Sequence, residues 1–131
     1  MNIILWILQI FFGLYFIAIG IMHFSPPAGL PAVMSWMYEL PTWLHYVSGT
    51  AEILGGLGLI LPGLTKIQTR LTPLAALGLA LVMVGAVVYH ITRGEIGNVV
   101  TNVVLLAIML FIYYGRTRLV PLKDRNATAE A

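Results

Sequence analysis

The chain has 131 residues, of which 60% are hydrophobic and 9% charged. Its seven Lys and Arg and five Asp and Glu make twelve charges, far too few to cover the surface of a small soluble domain. That excludes a water-soluble globule, and the abundance of apolar residues excludes disorder. What remains is an integral membrane protein. A span needs roughly 20 apolar residues, so the length suits four spans with short loops.

Span one is expected over about 3–22, within a stretch that carries no charge from Met1 to Tyr38. No Lys or Arg lies near its start and Phe24-Ser25-Pro26-Pro27 follows, so it reads as a retained helix rather than a cleaved signal. The longest connection covers 24–42. Pro26, Pro27, Gly29 and Pro31 break helix there. The aromatic stretch around 32–40 is expected at the headgroup layer, where Trp and Tyr are favoured. Span two is expected over 44–61, ending at Pro62-Gly63. Span three is expected over 73–90, with Pro73 in a first-turn position. Span four is expected over 99–115; the chain after Gly115 reads as polar and fraying, with 119–131 as a cytoplasmic tail. The fold expected is an all-α four-helix membrane bundle.

Basic residues set the orientation. Lys66, Arg70, Arg116, Arg118, Lys123 and Arg125 fall on the side of both termini, against Arg93 alone on the other. The positive-inside rule then puts both termini in the cytoplasm, in a cell membrane of bacterial inner-membrane type. The same residues flank apolar runs and form no patch, so the pI of 9.2 does not point to nucleic acid. Glycines on spans one, two and three predict close helix packing, among them the stripes Gly13, Phe16, Gly20, His23 and Gly78, Val82, Gly85, Tyr89.

Glu52 lies inside span two, about 10 Å below His45 at ~1.5 Å per residue. A carboxylate at that depth is either protonated or paired, and it serves either function or interhelix hydrogen bonding. His23, His45 and His90 all fall at the external end. Arg93 lies in the adjoining loop, and Asn98 and Asn102 open span four at that same end. Polar groups of all four spans thus gather in one half, which predicts a polar pocket there. The other half reads as apolar with a positive rim. Three His and a Glu are metal ligands by type, yet no metal-ligand spacing occurs, so no metal is expected. There is no cysteine, phosphate loop or dinucleotide fingerprint. No inverted repeat or broken helix supports a transporter.

Phe16-x-x-Ile19-Gly20-x-x-His23-Phe24 resembles the first span of DoxX-like membrane proteins. Glu52-Ile53-Leu54-Gly55-Gly56-Leu57-Gly58-Leu59-Ile60-Leu61-Pro62-Gly63 looks like their second. Pro73-Leu74-Ala75-Ala76-Leu77-Gly78-Leu79, then Gly85-Ala86 and His90, looks like their third, and Tyr114-Gly115-Arg116 is similar to their ending. The resemblance covers about residues 5–120. It implies a four-helix bundle and a link to quinone-level redox or sulfur metabolism. It carries over Glu52 and His90 as site residues, with His23 where many relatives use Lys. A quinone fits physically as ligand, and a redox partner protein or a second copy of the chain fits as partner beside the bilayer. The alternative is a non-catalytic accessory or assembly subunit that packs against partner proteins.

Overall fold

The computed structural model describes residues 1–126. Its four long helices are α1 (Asn2–Phe24), α3 (Thr42–Thr65), α4 (Leu71–Thr92) and α5 (Ile96–Tyr114); α2 (Trp36–Glu39) is a single turn in the connection between α1 and α3. All four long elements are long and apolar enough to cross a membrane. Large apolar side chains such as Ile3, Phe11, Leu54, Leu81 and Val100 point outward and are more than half exposed. Water would penalise that surface, whereas lipid accepts it.

The inner faces follow helical spacing. On α1 the buried stripe is Leu5, Gln9, Gly13, Phe16, Gly20 and His23. It meets α3 through two glycine pairs seven residues apart. A Cβ at Gly56 would lie 2.5 Å from the Gly13 carbonyl oxygen, and one at Gly20 would lie 2.9 Å from that of Gly49. Backbone therefore touches backbone, as small residues allow in lipid. On α4 the expectation of glycine packing fails: nothing lies within 4 Å of a Cβ at Gly78 or Gly85. The core instead forms from Phe16, Leu59, Ala76, Leu79, Met83, Met109 and Ile112.

The second span does not stop at Pro62. The helix runs through it to Thr65 and ends at Lys66, which takes a left-handed φ of 57°. Proline removes the N–H that would bond the Gly58 carbonyl. The Thr72 hydroxyl, from the start of α4, donates to that carbonyl at 3.0 Å and replaces the lost bond. This exchange ties α3 to α4 where the helix would otherwise weaken.

The bundle has two unlike ends. At the histidine end, the chain between α1 and α3 folds into a cap. Its Tyr38 hydroxyl donates to the Pro27 carbonyl at 2.5 Å, and Asn98 holds the Val33 carbonyl at 3.0 Å. Met37 points inward with no exposure, while Tyr38 stays outside. At the arginine end, α5 widens into a π-helical turn, Gly115–Leu119. The chain does not fray there. Asp124 Oδ1 accepts the Thr69 N–H at 2.8 Å and its hydroxyl at 2.7 Å, and the Arg125 N–H bonds the Lys66 carbonyl at 2.9 Å. The rest of the predicted tail, 127–131, lies outside the described residues.

The arginine end is also not apolar. Gln9 and Arg116 are both buried, and Arg116 Nε donates to Gln9 Oε1 at 2.5 Å. Gln9 in turn donates to the Leu59 carbonyl at 2.7 Å. Arg116 is thus an interior residue, not a surface anchor. Its position was readable: Leu105, Met109, Ile112 and Arg116 share one stripe, just as Gln9 extends the stripe of α1.

Candidate functional site

A cavity of about 280 Å³ lies in the histidine half, among α1, α3, α4, α5 and the cap. Glycine contact draws α1 and α3 together, and Gly58 against Ala75 closes α3 on α4 in the other half. Toward the histidine end that contact is lost, because no side chain projects from Gly85 to fill the gap. Gly85 and Val47 line the cavity and are both exposed, so its mouth opens sideways between α3 and α4. The floor and walls are mostly apolar, with Phe16, Met83 and Leu105 among them.

Four of the seven residues expected from sequence line this space: Glu52, His23, His90 and Asn102. Glu52 is 4% exposed. Its Oε2 lies 3.4 Å from His23 Nε2, within ion-pair range, yet makes no hydrogen bond among the described residues. The other ring nitrogen of His23, Nδ1, is 2.9 Å from Nδ1 of half-buried His45. His23 therefore stands between the buried carboxyl and the edge of the bundle.

His90 does not pair with Glu52. Its Nδ1 bonds Glu95 Oε1 at 3.0 Å, and its ring meets Trp36 edge-on at 5.3 Å. The same Trp36 ring lies 5.9 Å from His23 and so roofs the cavity between the two histidines. Arg93 is outside the cavity. It bonds Glu95 at 2.8 Å and pairs with Glu39 of the cap. These contacts hold the Glu95 carboxyl below the usual carboxylate range, the His90 hydrogen bond first and Arg93 after it. Asn98 serves the cap, and Asn102 donates to the Asn98 carbonyl at 2.8 Å.

Sequence reasoning missed Trp36, Tyr15 and Tyr89 as lining residues. Tyr15, Ile19 and His23 share one α1 face, which was the available signal. Trp36 reads as a headgroup aromatic in sequence, and only the folded cap turns it inward. Among the described residues no group of three or more His, Asp or Glu is set to hold a metal ion.

Four apolar helices around an internal, laterally open cavity define a four-span integral membrane bundle. The model of the DoxX-like family matches residues 7–112, and the chain belongs to that family. No curated protein and no solved structure matches it.

Proposed function

We propose that the cavity binds the polar head of a lipid-soluble carbonyl compound, with a quinone as the fitting chemistry, in support of a quinone-linked redox or sulfur process. The observation that carries this is Glu52 Oε2, a buried polar atom without a hydrogen bond among the described residues, in a chamber whose walls are mostly apolar. Small-molecule pockets start at roughly 300 Å³. The space thus suits a single ring, and the sideways mouth suits a tail left in lipid. A bound quinone would supply the electron-accepting carbonyls, with electrons coming from a partner oxidoreductase.

The chain's own residues would hold the head and move a proton. Protonated Glu52 donates toward a carbonyl and His90 borders the ring from the opposite helix. The His23–His45 pair has two satisfied arrangements. In one, Nδ1 of His23 donates to His45, and Nε2 is free to accept from Glu52. In the other, Glu52 has given its proton to Nε2 of His23, and Nδ1 of His45 is the donor. Passing between them moves one proton from Glu52 to the bundle's edge, where His45 releases one from its far nitrogen. By the charge bias of the loops this end faces away from the cytoplasm.

A test uses a Trp6→Phe/Trp43→Phe chain in nanodiscs, leaving Trp36 as reporter. A short-chain quinone should quench it, and Glu52→Gln or His90→Ala should weaken binding about tenfold, about 1.4 kcal/mol. Unchanged binding in both variants would sink the proposal. The second reading, an accessory subunit, is favoured by the Glu52–His23 contact, which also joins α1 to α3. Copurification with an oxidoreductase that carries all the chemistry, and a Glu52→Gln chain that stays active, would decide for it.

A further inference from the structure

Among the described residues, Arg116 is a buried cation without a counter-charge. It is 2% exposed, and every acceptor it reaches among the described residues is neutral. Nε bonds Gln9, and Nη1 bonds Asn2 Oδ1 at 2.8 Å and the Val120 carbonyl at 3.0 Å. Nη2 is buried and has no hydrogen-bond partner among the described residues. The Trp6 ring lies under the guanidinium at 5.5 Å and covers one face. A buried, unpaired charge costs several kcal/mol or more unless an anion completes it.

A second cavity, about 400 Å³, adjoins this group at the arginine end. Among the described residues, Arg116 lines it together with Lys66, Lys123 and Arg125, with Asp124 as the carboxylate. That carboxylate is engaged by Thr69. The left-handed residue Lys66 and the docked segment after the π turn build the rim, so the site depends on the fold rather than on a loose basic tail.

We propose that this cavity binds a phosphate-bearing anion, with the Nη2 face of Arg116 as its inner ligand and Lys66 and Lys123 at the rim. Arginine presents paired donors to phosphate oxygens, and the lysines add point charges. The site lies where a helix bundle meets headgroups, so the phosphate comes either from an anionic lipid or from solution. It is separate from the histidine-end cavity and does not rest on what that cavity binds.

The test reconstitutes the full chain in nanodiscs of phosphatidylcholine with and without phosphatidylglycerol. A parallel arm in neutral detergent compares inorganic phosphate with chloride at equal ionic strength. Lipid retention is read by native mass spectrometry and unfolding by temperature. Retention of phosphatidylglycerol about tenfold over phosphatidylcholine supports a lipid source. A raised unfolding temperature with inorganic phosphate alone supports a soluble one. Arg116→Gln should abolish either effect. The double variant Lys66→Gln/Lys123→Gln leaves the Arg116 network intact and should weaken it several-fold, while Arg118→Gln, outside the cavity, should not. The site is overturned if neither anion is preferred, or if Arg118→Gln lowers the preference as much as the rim variant does.

Discussion

Glu52 Oε2 faces His23 Nε2 at 3.4 Å, across the contact between α3 and α1. The Gly20–Gly49 approach one turn away brings the two helices close enough for that. His23 is itself against His45 at 2.9 Å, and the proposed relay would carry a proton from Glu52 through this pair without crossing the cavity. Replacing His45 with Phe keeps a ring beside His23 and removes the acceptor. Proton exchange at Glu52, followed by infrared spectroscopy after transfer to heavy water, should slow about tenfold or more. Ligand binding should not change, because His45 does not line the cavity. Equal exchange rates would remove the relay.

The glycines divide into two kinds, and alanine should separate them. Gly56→Ala puts a methyl 2.5 Å from a backbone oxygen of α1, which cannot move aside as a side chain would. It should cost about 1–3 kcal/mol through forced separation of the helices. Gly78→Ala meets open space and should be neutral or stabilise by up to about 1 kcal/mol through helix propensity. Unfolding in detergent measures both.

Gly85 holds the mouth of the cavity open. Gly85→Phe adds a ring where a Cβ meets nothing within 4 Å, so stability should hold. Entry should suffer: binding of a long-tailed quinone should fall about tenfold, about 1.4 kcal/mol. A rise in affinity or no change would place the entrance elsewhere.

The helices, their order and the polar half around Glu52 were legible because span length and charge scarcity leave few alternatives. Four candidates converge on one space because helical spacing and topology already put them at one end. Partner choice was not legible. Glu52 meets His23 rather than His90 because α1, not α4, makes backbone contact with α3 at that level. His90 is taken by Glu95, five residues on, through a turn that closes locally. Pro62 reads as a stop, yet Thr72 from another helix supplies the bond it lacks. Arg116 reads as a surface anchor because its charge outweighs its position in the count. The stripe Leu105, Met109, Ile112 points to it all the same.

Asp124 gives the arginine end a pH response. Its hydrogen bonds from the Thr69 hydroxyl and N–H hold the carboxyl below the usual range, with Arg70 adding to this. A carboxyl depressed in the folded state contributes fully above its unfolded value, near pH 4, and the contribution is lost as pH falls through the lowered folded value. Hydrogen-exchange protection of the Thr69 amide should thus be flat from neutral pH down to about 5 and fall only in acid. In Asp124→Asn the acid-dependent fall should vanish. A loss of protection between pH 7 and 5 would contradict the assignment.

The proposed quinone site requires that Glu52 meet the bound head group. Infrared difference spectra, taken with and without a short-chain quinone in the same nanodiscs, report the Glu52 carboxyl directly. Quinone addition should shift a carboxyl stretch in the wild-type chain, and that feature should be missing in Glu52→Gln. Identical difference spectra from the two proteins would contradict contact between Glu52 and the quinone.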